Sequence, residues 1–236
     1  MRIGVVSDIH ANLPALESTL AEMDHLGVGE IYSLGDTIHL GPYPKEVVEL
    51  LLARKVYCIL GDHEDYLLNN LDGFVPKHPE EREHYEWSNN QIPEIYRERI
   101  RNEWQRKMIL ERGVRILFTH YGLADNEQDY LHEPWDPKPN DLDVWFKRFN
   151  TDLVLYGHIH RYEDGIGSSG TRYVNPGAVG VQNSGHANFV ICNIHEEDGT
   201  FTIEHHTVFY DRKAVTQAFR KKNVPNREIL IKIFHS

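Results

Sequence analysis

Five short segments of this chain close a hydrophobic run with aspartate or histidine: Asp8-Ile9-His10, Gly35-Asp36, Gly61-Asp62-His63-Glu64, Thr119-His120 and Gly157-His158-Ile159-His160. Carboxylates and neutral imidazoles are donors that Mn²⁺, Fe, Ni²⁺ and Zn²⁺ accept, and the lack of a thiolate among them argues against a structural zinc site. Several such groups drawn into one crevice would repel one another without cations. A pair of divalent metals is the simplest neutralising agent. Two cations about 4 Å apart can clamp the attacking and leaving oxygens of an in-line phosphoryl displacement, and they make a bridging water acidic enough to attack at neutral pH. One His-x-His pair alone carries little information. Five segments in series, each at the end of an apolar run, carry much more.

The elements that must position these groups are legible in the same runs. Residues 3–6, 31–34, 56–60, 116–118 and 153–156 each read as a buried strand. In an open α/β sheet, side chains just beyond the carboxyl ends of strands converge on one crevice. Between the first two runs, Leu13, Leu16, Leu20 and Met23 recur at helical spacing, with Asn12 as cap and Pro14 in the first turn. A second helix carries Val47, Val48, Leu51 and Leu52. The resulting βαβαβ unit implies parallel strands with right-handed crossovers. Residues 73–112 change character. They are polar, with Ile92, Tyr96, Ile100, Trp104 and Met108 spaced four apart, which predicts a helical insertion on a single domain spanning 1–236. That insertion either packs structurally on the body or caps the site. Further on, a Pro-rich loop leads to a helix with Leu142, Trp145, Phe146 and Phe149 on one face. Runs 187–194 and 200–209 flank the hairpin signal Asp198-Gly199, and two short helices finish the chain.

Bulk properties narrow the class. A chain of 236 residues suits one domain with a substantial core. A net charge of −11 disfavours a non-specific grip on nucleic acid, which depends on Lys and Arg. The two cysteines, Cys58 and Cys192, lie inside apolar runs and read as buried thiols, not as a disulfide framework. No stretch approaches the roughly 20 apolar residues of a membrane span, and Asp8 breaks the first apolar run too early for a signal peptide. The expected compartment is the cytoplasm.

In order and composition the motifs resemble the calcineurin-like metallophosphoesterase superfamily, whose pattern is D-x-H, G-D, G-N-H-[DE], a lone His, then G-H-x-H. The segments Gly41-Pro42-Tyr43-Pro44-Lys45 and Asn175-Pro176-Gly177-Ala178-Val179-Gly180 look like its small bacterial and archaeal phosphodiesterase branch. The resemblance implies an α/β fold of two mixed β-sheets sandwiched between helices, a four-layer αββα arrangement. It implies a metal-dependent phosphodiesterase with two divalent cations, Mn²⁺ first, then Fe, Ni²⁺ or Zn²⁺. One metal would be held by Asp8, His10, Asp36 and His160, the other by Asp36, Asp62, His120 and His158. A hydroxide bridging the metals would attack phosphorus, and His63 would act as general acid, with Glu64 expected to orient its ring. The family's Asn is Asp62 here, a carboxylate that tightens the second cation and adds negative charge to the site.

The expected partner is a small-molecule or nucleotide phosphate ester, with no membrane and no strong nucleic-acid signal. No residue is singled out for holding the substrate. Alternative readings are a dinucleoside polyphosphate hydrolase, a nuclease, or a non-catalytic scaffold on the same fold. His25, His39, His78, His84, His132, His195, His205, His206 and His235 lack the motif setting and read as packed or surface residues. Arg161 and His186 lie near site segments and read as solvated.

Overall fold

The computed structural model describes residues 1–131 and 134–235. The N-terminal βαβαβ unit forms as expected. Strand β1 (Arg2–Val6) pairs in parallel with β2 (Glu30–Ser33), and β2 pairs in parallel with the two-residue β3 (Tyr57–Cys58). Helices α1 (Leu13–His25) and α2 (Pro44–Ala53) make the crossovers. Asn12 caps α1 by accepting from Ala15 N at 3.2 Å, and its amide donates to Gly180 O at 2.8 Å, so both ends of that side chain are satisfied structurally. The hairpin of β9 (His186–His195) and β10 (Thr200–Phe209) completes this sheet, in the order β10-β9-β1-β2-β3.

The second sheet contains β4 (Lys107–Glu111), β5 (Arg115–Thr119), β6 (Leu153–Leu155), β7 (Tyr162–Ile166) and β8 (Arg172–Pro176), in the order β4-β5-β6-β8-β7. Both sheets mix parallel and antiparallel pairs. Side-chain alternation along the strands divides the core into three layers. Ile3, Val5, Ile116, Phe118, Leu153 and Leu155 meet between the sheets. Val6, Phe189 and Ile191 face α1, α2, α7 (Arg212–Lys221) and α8 (Arg227–Phe234) on one outside. Leu117, Val154 and Tyr173 face α6 (Pro139–Phe146) on the other. The four-layer αββα sandwich follows. Both cysteines are buried and free. No helix among the described residues is long and apolar enough to cross a membrane.

The insertion differs from the expectation of helix throughout 73–112. The four-residue spacing does not belong to one helix. It is divided between α4 (Pro79–Gln91), α5 (Glu94–Glu103) and strand β4, which carries Met108. Pro93 supplies no N–H and disfavours helical backbone at the residue before it, so α4 ends at Ile92 and α5 starts afresh. Residues 107–111 then pair with β5 in five-residue register, an outcome their helix-like spacing conceals.

One buried side chain ties the loops after β2 and β3 together. Glu64, in the short helix α3 (Asp62–Leu68), has no exposed surface. Its carboxylate accepts from Asp36 N (2.9 Å), Thr37 N (2.8 Å), Thr37 Oγ1 (2.7 Å) and Gly61 N (2.7 Å). Removing that acceptor strands buried donors, each costing about 1–3 kcal/mol. Glu64→Ala is therefore expected to lower unfolding free energy by about 3 kcal/mol or more, read from urea denaturation; a loss under about 1 kcal/mol would show that these loops hold without it.

Candidate metal centre

The strands deliver their terminal acids and imidazoles through unusual backbone. Asp8 (φ 54°), His10 (47°), Asp36 (55°), His158 (75°) and His160 (58°) all lie in the left-handed region. That region costs a residue with Cβ roughly 1–2 kcal/mol, so neighbouring hydrogen bonds must hold each one there. Asp8 N donates to Gly35 O (3.1 Å), His10 N to Asp36 O (2.9 Å) and Gly157 N to His120 O (2.8 Å). His158 N lies 3.2 Å from both Asp8 carboxylate oxygens. Gly61 permits the closest approach: a Cβ there would stand 2.2 Å from Asp36 Oδ1.

Two clusters of donor atoms result. Asp8, His10, Asp36 and His160 form one, and Asp36, Asp62, His120 and His158 the other; within each, one atom per residue lies within 4.8 Å of the rest. Ligands about 2.1 Å from a common ion lie roughly 3–4.2 Å apart, so donor atoms gathered within 4.8 Å are near the spacing at which a cation could be held. The outer nitrogens fit as well. His10 Nδ1 meets Ile38 O at 3.3 Å and His120 Nδ1 meets Leu34 O at 2.9 Å. A carbonyl only accepts, so each Nδ1 carries a hydrogen and each Nε2 is the nitrogen turned to the cluster, the one a cation would take. Asp62 Oδ1 stands 3.1 Å from both His120 Nε2 and His158 Nδ1.

The electrostatics show what these groups lack. Burial, then the Asp62 carboxylate, drives Asp36 well above the usual carboxylate range. Burial would do the same to Asp62, but hydrogen bonds with His120 and His158 hold it well below. Burial, then the neighbouring His63 and His160, keeps His10 well below the ordinary imidazole range. Burial would also lower His120, yet Asp36 and Asp62 push it well above. Carboxylates and imidazoles that share protons at one buried point are the environment that divalent cations relieve.

His63 belongs to neither cluster. Its Nε2 lies 3.7 Å from Asp36 Oδ2, and its Nδ1 points away, 3.1 Å from His39 Nδ1. Glu64, expected to orient this ring, instead ties the two loops as described above. His39 takes that place, because α4 presses on it: His39 Nε2 meets Asn89 Oδ1 at 2.8 Å, and Asn89 Nδ2 donates to Tyr66 O at 3.3 Å. Tyr85, also from α4, lies over His39 (ring centroids 4.3 Å apart) and stacks on His63 (5.4 Å). Sequence spacing marked neither His39 nor Asn89. The one available signal was His39 three residues after Asp36, on the same loop.

The remaining candidates fall elsewhere. Arg161 Nε donates to Glu163 Oε1 at 2.7 Å on the surface. His186 pairs with Ser184, and His205 and His206 stack on Tyr162 and Phe189 on opposite faces of β10. His84 accepts from Leu40 N at 2.8 Å, bracing the loop after β2. His132 lies outside the described residues.

A family model described as the calcineurin-like phosphoesterase superfamily domain matches residues 1–197. An uncharacterized protein of Methanocaldococcus jannaschii is 28% identical, over 94% of this chain and 93% of its own. The crystal structure of a metallophosphoesterase from Sphaerobacter thermophilus superimposes with a TM-score of 0.73 at 25% identity, covering 99% of this chain and 97% of that one. A hypothetical protein from Pyrococcus horikoshii superimposes with a TM-score of 0.79 at 22% identity, covering 99% and 98%.

Asp36 is common to both clusters. Asp36→Ala is expected to weaken Mn²⁺ binding at two positions by about 10- to 100-fold or more, measured by calorimetric titration of chelator-treated protein. Weakening at one position only would mean that the clusters do not share this residue.

Proposed function

Because the chain belongs to the calcineurin-like phosphoesterase superfamily, we propose that it is a metal-dependent phosphodiesterase acting on small-molecule or nucleotide diesters. Asp8, His10, Asp36 and His160 hold one divalent cation, Asp36, Asp62, His120 and His158 the second, and His63 is the general acid. The observation that carries this reading is the pair of donor clusters joined through Asp36, with an imidazole beside them that neither uses. The donor set is mixed, three carboxylates and four imidazoles, and accepts Mn²⁺ as well as Fe, Ni²⁺ or Zn²⁺. When bound, the cations supply positive charge for the phosphoryl oxygens and a water acidic enough to attack at neutral pH.

Charge favours a diester. Asp8, Asp36 and Asp62 bring three negative charges against the four positive ones of two divalent cations, and the hydroxide formed there cancels the remaining one. A diester monoanion then meets less repulsion from the Asp62 carboxylate than a monoester dianion does.

The hydrogen-bond chain behind His63 decides which nitrogen handles the proton. Tyr66 O can only accept, so the Asn89 amide nitrogen faces it and Asn89 Oδ1 faces His39. His39 Nε2 must then carry a hydrogen. Burial, then the neighbouring His63, keeps His39 well below the usual imidazole range, so it stays neutral and its Nδ1 is a bare acceptor. His63 Nδ1 therefore carries a hydrogen to reach it at 3.1 Å. The exchangeable site is His63 Nε2, on the side of Asp36. Burial pulls His63 down to about 4, with Asp62 opposing, and an arriving phosphate anion reinforces Asp62. To act as acid His63 must first become imidazolium, taking up a second proton at Nε2 as the substrate anion binds; it gives that proton to the leaving alkoxide and returns to the neutral ring with Nδ1–H anchored on His39.

Mn²⁺ added to chelated protein is expected to restore hydrolysis of bis-p-nitrophenyl phosphate. Metal binding without turnover of this or any nucleotide diester would favour the scaffold alternative. His63→Ala is expected to cut kcat by about 10²–10⁴ on an alkyl diester, with a smaller effect on a p-nitrophenyl leaving group and unchanged metal content by elemental analysis. Loss of metal in that variant would overturn its assigned role. Asn89→Leu is expected to share the dependence on leaving group, and Asn89→Asp, which still accepts from His39, to rescue it.

A further inference from the structure

The cavity over the metal-binding cluster is larger and more apolar than a phosphoryl group requires. It measures about 370 Å³ and is one continuous space, from Asp62, His63 and His160 on its floor to helix α8 at its rim. A space of that size suits a small organic ligand. Within α8, Leu230 is buried and joins both the core and the cavity wall, whereas Ile229 and Ile233 are 43% and 50% exposed. Four residues apart, these two share one face of the helix, and both line the cavity with Phe234 and Leu40. Trp135 lines the same cavity, 59% exposed and stacked on His158 with centroids 4.5 Å apart and planes 16° from parallel. Only one face of that indole is used by the imidazole. Two isoleucines and an open indole face placed around one cavity are apolar surface held in water, which is unfavourable unless a ligand covers it.

The charges on the wall are sparse. Lys77 and Glu81 both line the cavity, and the backbone N of Lys77 donates to Glu81 Oε2 at 2.5 Å. A chain of phosphates would need several cations along its length. This wall offers one, beside a carboxylate.

We infer that the substituent of the substrate diester is a bulky apolar group, aromatic or aliphatic, held between Trp135 and the Ile229–Ile233 face, while its single phosphate sits at the metal-binding residues. The substrate class is a monoanionic diester with one large hydrophobic arm, and not a dinucleoside polyphosphate. This rests on the phosphodiesterase reading above for its chemistry, and on the continuity of the cavity for its ligand.

The test uses diesters of equal charge and identical p-nitrophenolate leaving group, with methyl, cyclohexyl or 1-naphthyl as the second substituent. Expected is a kcat/KM at least about tenfold higher for the two large groups than for methyl, carried mainly by KM; tenfold corresponds to about 1.4 kcal/mol. In the double variant Ile229→Asn, Ile233→Asn, the preference is expected to fall to within about threefold, with retained thermal unfolding as the check on folding. Trp135→Ala separates the two sources of apolar chemistry: loss confined to naphthyl marks an aromatic arm, and equal loss with cyclohexyl an aliphatic one. Equal kcat/KM for methyl and naphthyl in the unaltered protein would overturn the inference even if every diester is hydrolysed. Calorimetric binding of stable naphthyl and methyl esters of methylphosphonate to Zn²⁺-loaded protein gives an arm independent of turnover. Tighter binding of the naphthyl ester without hydrolysis of any diester would sustain the cavity and remove the phosphodiesterase reading; equal binding of the two esters would remove the cavity.

Discussion

Asp36 stands where the two clusters of donor atoms meet, and its carboxyl is buried within reach of His10, His63 and His120. Left to itself, such a group retains a proton. The surrounding structure denies it an easier arrangement: its backbone N–H is taken by Glu64, its Oδ1 accepts from His63 N at 3.1 Å, and Gly61 leaves no Cβ to push it away. The loops after β1, β2, β3, β5 and β6 are thus locked into mutual contact at a point where their side chains repel. The sandwich behind them resists that repulsion, since strands filled with Ile3, Val5, Ile116, Phe118 and Leu155 cannot slide apart without exposing the space between the sheets.

Much of this was legible in the chain. Strand ends were marked because an apolar run that halts at Asp or His has two simultaneous signals, a change of polarity and a change of chemistry. The residues Asp8, His10, Asp36, Asp62, His120, His158 and His160 do gather in space as that pattern suggests. The division into four layers needed the resemblance to a known family, because single strands of two or three residues, such as β3 and β6, have too little period to reveal which faces they bury.

What escaped has a common cause. His39, Asn89 and Tyr85 act through contacts between a loop and a helix 50 residues away, and no local spacing encodes such a meeting. Glu64 sits next to His63 in sequence, which made a contact between them plausible, yet the helical backbone of α3 turns the two side chains apart. The run from Ile92 to Met108 kept a helical rhythm through a proline and into a strand. There Pro93 and pairing with β5 outweighed the rhythm.

The left-handed backbone at Asp8, His10, Asp36, His158 and His160 bears on the history of such a chain. Glycine adopts that conformation freely, and asparagine nearly so. In a lineage that no longer needed cations, substitution toward those residues would relieve that cost, opposed at Asp8 and Asp36 by the loss of the carboxylates that accept from His158 N and His63 N. Erosion should therefore begin at His10, His158 and His160, ahead of the apolar strands behind them. Acids and imidazoles on such a backbone stand against the fold's own conformational preference.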